Sequence, residues 1–147
     1  MMAYGKRVLI VDDEEQIGHL LVEYLEMHYI AAVAVADGLQ ALRELHHRHF
    51  DAVITDLHMP YLDGLDLLRQ CHLVWPKLPV ILMSGHLLDI VWPAMAHGAS
   101  ACLPKPIDPA KLISVLSEAI SGLNDSRSGQ GDMLPHLLEA QRRWSVW

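Results

Sequence analysis

Only two cysteines, Cys71 and Cys102, occur in this chain of 147 residues. Their spacing suits neither a disulfide framework nor a metal knuckle, so a reducing cytoplasm is the natural setting. Long hydrophobic runs are also missing, and no segment is expected to span a bilayer. Near the N-terminus, Asp12 and Asp13 interrupt the first apolar run almost at once, which argues against a secretory signal. Positive charge is scarce: 11 Lys and Arg stand against 18 Asp and Glu, a formal net charge of -7. That balance argues against nucleic acid or an anionic membrane as the direct partner of the whole surface. Neither GxGxxG nor a P-loop is present, which removes the usual dinucleotide and nucleotide cradles. HExxH is absent too, despite ten histidines. His46, His47 and His49 cluster near one helix end, where solvated side chains are expected rather than ligands.

What remains is the composition of a compact globular chain, 52% hydrophobic and 20% charged, long enough for one domain with a proper core and a tail. Val8-Leu9-Ile10-Val11, Ala52-Val53-Ile54-Thr55 and Val80-Ile81-Leu82-Met83 are apolar blocks of strand length. Continuous blocks of this kind suit strands buried on both faces, as in a parallel sheet covered by helices. Residues 31–36 and 101–103 are weaker strand candidates. Between the blocks, Ile17, Leu20, Leu21, Tyr24 and Leu25 recur at helical spacing. So do Leu112, Val115, Leu116, Ala119, Ile120 and Leu123, behind Asp108-Pro109, which reads as N-cap and first-turn proline. Five repeats of strand then helix predict an α/β domain with a parallel sheet over residues 1–123. Residues 124–132 have the Asn, Ser, Gly and Asp composition of a flexible linker. Within the tail, 133–147, residues Leu134, Leu137, Leu138, Gln141 and Trp144 fit a short amphipathic helix.

Two of the strand-length blocks run straight into acids, Asp12-Asp13 and Asp56. In an open parallel sheet the carboxyl ends of the strands form the crevice where ligands bind. If those strands are neighbours, three carboxylates converge, and their repulsion calls for a cation among them. Oxygen-only ligands at a solvent-facing crevice suit magnesium. Two further strand ends contribute Ser84, a hydroxyl, and Lys105, a mobile point charge. Together these are the parts needed to hold a phosphoryl group while a carboxylate oxygen attacks it in line. Taken alone, Asp12 and Asp13 would read as helix-start acids favouring the dipole.

The ordered set Asp12-Asp13, Asp56 followed by Met59-Pro60-Tyr61-Leu62-Asp63-Gly64, Ser84-Gly85 and Lys105-Pro106 resembles the receiver domain of two-component response regulators over roughly residues 6–123. The resemblance implies a flavodoxin-like (βα)5 fold, doubly wound, with strand order 2-1-3-4-5 and five surrounding helices. It implies Asp56 as phosphoacceptor, and magnesium or manganese held by Asp13, Asp56 and the backbone carbonyl of His58, with Asp12 acting mainly through water. Ser84 would bond a phosphoryl oxygen and swing inward on activation, and Lys105 would pair with its charge. The donor would be a phosphohistidine on a sensor histidine kinase or a histidine phosphotransfer protein, and the output a contact with an unidentified downstream protein. Such a domain promotes transfer and later hydrolysis without being classed as an enzyme. Asp63-Gly64 is read as a structural turn into the third helix.

The chain departs from that pattern in three places. Cys102 occupies the position, three before the lysine, where the family usually has an aromatic that rotates on phosphorylation; a small buried apolar residue is the expected reading. Pro93 falls inside the expected helix between Ser84 and Gly98, a stretch about one residue short, beside Trp92, which is either a partner contact or a core residue. His58 and His86 follow Asp56 and Ser84 by two residues, where an imidazole could orient water or change its charge, or simply face solvent. Two rivals are weighed. A haloacid-dehalogenase-type phosphatase wants a second acid where His58 stands. A phosphorylation-independent receiver-like interaction module would draw support from Cys102 and Pro93, against the full set of acids, serine and lysine. The segment from Leu134 to Trp144 could fold back, mediate a homodimer, or begin a linker helix.

Overall fold

A computed structural model describes residues 5–86, 93–94 and 96–125. Five strands form one parallel sheet in the order β2-β1-β3-β4-β5, with β1 at Lys6–Val11, β2 at Ile30–Val35, β3 at Ala52–Asp56, β4 at Val80–Ser84 and β5 at Ala101–Pro104. The three apolar blocks are β1, β3 and β4, and they occupy the middle of the sheet. The weaker candidates supply the two edges, which among the described residues have a strand on one flank alone; β2 is half-buried throughout, whereas β5 is buried at Ala101, Cys102 and Leu103.

Four helices are among the described residues: α1 (Glu15–Met27), α2 (Gly38–His47), α3 (Gly64–Val74) and α4 (Pro109–Asp125). Strand side chains alternate between two faces, and the core divides accordingly. Leu9, Val11, Val53, Leu82 and Cys102 pack with Ala41 and Leu45 of α2 and Leu67, Leu68 and Cys71 of α3. Val8, Ile10, Ile54, Ile81 and Met83 pack with Leu21 and Leu25 of α1 and Leu112, Leu116 and Ala119 of α4. Truncating one of these fully buried side chains to alanine costs about 2–5 kcal/mol.

Local chemistry sets the helix starts. Asp37 caps α2 by accepting the Gln40 N–H at 2.8 Å, and the Gln40 side chain reaches back to the Ala36 N–H at 3.1 Å. Asp108 accepts the Ala110 N–H at 3.1 Å, with Pro109 as the first residue of α4, as the sequence predicts. That helix continues to Asp125, two residues past Leu123. The rest of the expected linker and the tail lie outside the described residues. So do residues 87–92, with Trp92 and any effect of Pro93 on a helix start. Pro93, Ala94 and Ala96 are helical, the His97 N–H bonds the Pro93 carbonyl at 3.1 Å, and Gly98 follows at φ +89°. Among the described residues no helix is long and apolar enough to cross a membrane.

Candidate functional site

β1 and β3 lie side by side, and both run out in acids at the same edge of the sheet. Their register pairs Val11 with Thr55, so Asp12 and Asp56 emerge from adjacent strands. Both are buried, whereas Asp13, the next residue, is exposed. One carboxylate oxygen from each of Asp12, Asp13 and Asp56 lies within 4.8 Å of the other two. From the end of β5, Lys105 sends Nζ to 3.1 Å from Asp56 Oδ2 and 3.3 Å from Asp12 Oδ2. Ser84 closes β4, one residue after Met83, the partner of Asp56 in the ladder. Its carbonyl accepts the Lys105 backbone N–H at 2.9 Å, and its buried Oγ accepts the His86 N–H at 2.9 Å. The sheet thus brings the acids and Lys105 into contact and sets Ser84 on the same edge.

Electrostatics in this cluster is unbalanced. Burial pushes the Asp12 carboxyl up, and the charge of Asp56 adds to that, while the Glu14 N–H and Lys105 pull the other way without prevailing. For Lys105, burial pulls downward, but the hydrogen bond to Asp56 and the charges of Asp12 and Asp56 outweigh it and raise the ammonium. The lysine is held as a cation. Three carboxylates against one ammonium leave two negative charges in excess, and a divalent cation is the simplest complement. The donors are hard oxygens with an open side at Asp13, which fits magnesium or manganese rather than a soft metal. Among the described residues these three acids are the group able to share an ion. The His58 and His86 side chains are exposed.

The loop after Asp56 has tighter requirements than its sequence announces. Asp63 caps α3 by accepting the Asp66 N–H at 2.8 Å, and the Gly64 N–H bonds the Leu57 carbonyl at 2.8 Å. A Cβ on Gly64 would lie 2.5 Å from the Asp56 carbonyl oxygen and 2.9 Å from Leu57 Cα. The first turn of α3 therefore rests on the backbone of Asp56 and Leu57, so the Asp63-Gly64 turn is structural, as read, yet it sets the position of Asp56. Ahead of it, Tyr61 has φ +70° and the Leu62 N–H bonds the Pro60 carbonyl at 2.9 Å. That is a γ-turn in its strained, positive-φ form. No glycine at position 61 signals it. Leu62 then packs where a Cβ on Gly38 would sit, 2.8 Å from the Leu62 carbonyl.

Cys102 is buried in the core opposite Leu82, and burial pushes its thiol, like that of Cys71, up to about 12. Such a thiol is an apolar filler rather than a redox group. His46 and His47 are exposed at the end of α2, with His46 edge-on to Trp75, and the exposed His49 meets Asp51 at 3.2 Å.

The family model described as response regulator receiver domain matches residues 8–117. The chain is 35% identical over 115 residues to the DNA-binding transcriptional regulator NtrC of Escherichia coli (strain K12), covering 78% of this chain and 24% of that protein. It is 34% identical over 119 residues to the regulatory protein VirG of Agrobacterium tumefaciens (strain 15955), covering 78% and 43%. A solved response regulator receiver domain protein from Clostridium thermocellum superposes with a TM-score of 0.77 at 30% identity, covering 81% of this chain and 97% of that one. The chain spans less than half the length of either curated relative.

Proposed function

This chain belongs to the response regulator receiver domain family of two-component systems, and on that premise we propose that Asp56 accepts a phosphoryl group from a phosphohistidine donor in a reaction that requires a divalent cation. The observation that carries this reading is the meeting of Asp12, Asp13 and Asp56 within 4.8 Å, with Lys105 bonded to two of them.

Asp13, Asp12 and Asp56 would hold magnesium or manganese with the His58 carbonyl, and the ion, when bound, supplies charge neutralisation for the phosphoryl oxygens. Asp56 attacks phosphorus in line. The donor's N–P bond breaks as the O–P bond forms, and the leaving imidazole keeps the electron pair. Lys105 meets the phosphoryl charge with the ammonium it already directs at Asp56. Ser84, its Oγ oriented by the His86 N–H, turns its hydroxyl proton to a phosphoryl oxygen. Because the Lys105 N–H is bonded to the Ser84 carbonyl, movement at either residue pulls on the ends of β4 and β5 together. Cys102 has no ring to rotate, so that backbone link carries the readout to a downstream protein. Slow hydrolysis of the acyl phosphate resets the domain in the cytoplasm. The donor is a sensor histidine kinase or a histidine phosphotransfer protein. The DNA binding in the name of NtrC belongs to that protein and is not carried over.

Acetyl phosphate with magnesium, followed by intact mass measurement, tests the reading. One added phosphoryl group is expected in the wild type and none in Asp56→Asn or after chelation. Unmodified wild-type protein that also fails to bind beryllofluoride would sink it and favour a module that acts without phosphate.

A further inference from the structure

β3 is buried along its whole length, and ahead of Asp56 its only polar side chain is Thr55, which has no exposed surface at all. Alternation along the strand puts Thr55 on the face of Val53 and Leu57, which pack under α2 and α3. The Asp56 side chain leaves from the opposite face. Valine has the shape of threonine without the hydroxyl and would suit this apolar surface better, since a buried hydroxyl is unfavourable unless it is bonded. The destination of that bond is therefore what gives Thr55 its meaning.

Thr55 Oγ1 donates to the Asp56 carbonyl at 3.0 Å, while Met59 Sδ, a weaker acceptor, stands 3.9 Å away. The ladder with β1 ends at Val11 and Thr55, one residue short of this carbonyl. At the other end of the same peptide unit, the Leu57 N–H bonds the Met83 carbonyl at 3.0 Å. A peptide unit is planar, so holding both its C=O and its N–H fixes its tilt, and with it ψ of Asp56 and φ of Leu57. The sheet already fixes everything before Asp56. What the tilt controls is the chain beyond it, through Leu57 to His58, and the seat of Gly64 against the Asp56 carbonyl oxygen.

We propose that Thr55 is a positioning residue of the cation site, its hydroxyl holding the Asp56–Leu57 peptide so that the His58 carbonyl and the Asp56 carboxylate address one ion. The inference rests on the phosphoacceptor reading above and deepens it, because Thr55 itself touches neither ion nor phosphoryl group. Without the hydroxyl, the Asp56 carbonyl loses this bond in a buried place. The peptide then turns toward another donor, and the His58 oxygen moves with it. Magnesium is sensitive to such a displacement, since it demands near-ideal octahedral geometry. The carboxylates of Asp12, Asp13 and Asp56 stay where they are, so binding weakens rather than disappears.

Two pairs of side chains that differ by one hydroxyl test this, threonine with valine and serine with alanine. Manganese binding to the unphosphorylated full chain, followed by water-proton relaxation, should be about fivefold weaker in Thr55→Val than in the wild type. Thr55→Ala should fall below Thr55→Ser by a similar factor, and labelling by acetyl phosphate at subsaturating magnesium should slow in the same order. Thr55→Ser should bind nearly as well as the wild type, although it lacks the buried methyl. A residue that only filled the core would give the reverse, with Thr55→Val close to the wild type and Thr55→Ser impaired, and that result overturns the inference. Equal affinities within both pairs overturn it too. Urea unfolding checks that each variant is folded, and the serine–alanine pair carries the same comparison if Thr55→Val does not fold. A wild type that binds no manganese and takes no label sinks the phosphoacceptor reading, and this role with it. A wild type that does both, matched by its valine and alanine variants, sinks this inference alone.

Discussion

The junction of β1 and β3 and the free edge of β2 are built from the same material, short apolar strands in one parallel sheet, yet they do opposite things. At the junction every strand has two neighbours and a helix on each face, so the backbone is satisfied and the only groups left over are the side chains at the strand ends. Those are acids, and Asp12 and Asp56 are buried together against Lys105. At the edge the side chains are aliphatic, and among the described residues no second strand pairs with β2. Charged side chains gather where the chain is most constrained, and aliphatic ones stand where it is least.

The sharpest way to break this contrast is a methyl group at matched glycines. Gly64→Ala drives a Cβ into the Asp56 carbonyl at 2.5 Å, where backbone has to move. It should cost about 3 kcal/mol in urea unfolding and slow labelling by acetyl phosphate at least tenfold. Gly18→Ala at the edge meets only the Ala34 methyl at 3.3 Å, and the better helix propensity of alanine offsets it. Its stability should stay within about 0.5 kcal/mol of the wild type, with labelling untouched.

Next in size is the lysine. Lys105→Met leaves Asp12 and Asp56 buried together without their shared cation, and should cost about 1–3 kcal/mol at neutral pH. Magnesium should then raise the unfolding midpoint more in the variant than in the wild type, since the ion replaces the missing charge. Equal shifts would mean that the two cations do not share one site.

Alkaline pH probes the side of the sheet beneath the site. Burial raises Cys71 and Cys102 from 9.0 to about 12. Between those values the unfolded chain has released thiol protons that the folded chain still holds. Stability is therefore complete below pH 9 and falls as pH rises toward 12, by about 1.4 kcal/mol per pH unit for each thiol. Lys105, also raised by its partners, adds a loss of the same sign at the upper end. In Cys102→Ala the slope of urea stability against pH between those limits should be about half as steep as in the wild type up to the point where Lys105 titrates.

The smallest effect concerns the turn at Tyr61, 86% exposed with φ +70°. Tyr61→Gly relieves the strained conformation and should stabilise the protein by up to about 1 kcal/mol, reduced by the added freedom of the unfolded chain. A loss of stability would show that the tyrosine ring makes a contact worth more than the strain.

Much of this was legible in advance, for reasons that particular residues show. Val8 to Val11 and Ala52 to Thr55 are apolar without alternation, which only a strand covered on both faces can use, so their place in the sheet's interior could be read directly. Acids at their ends had to lie at one edge once the strands were parallel. The tight turn at Tyr61 was not legible, because nothing local favours a positive φ there and the packing of Leu62 on Gly38 enforces it. Nor was the contact of Gly64 with the Asp56 backbone, since a glycine in a turn looks the same whether or not another chain segment presses on it. The double ion pair of Lys105 depends on a separation of 93 residues from Asp12.

By itself the sequence determined which segments are strands and helices, which ends carry charge, and that the charged ends belong to one phosphoacceptor family. Local hydrophobic period and residue chemistry encode those features within a few residues. Only the tertiary structure decided that Lys105 bridges Asp12 and Asp56, that α3 rests on the Asp56 backbone, and that Gly18 of α1 seats on Ala34 of the edge strand β2. Each of these is a meeting of distant segments, fixed by strand order and close packing rather than by any neighbour along the chain.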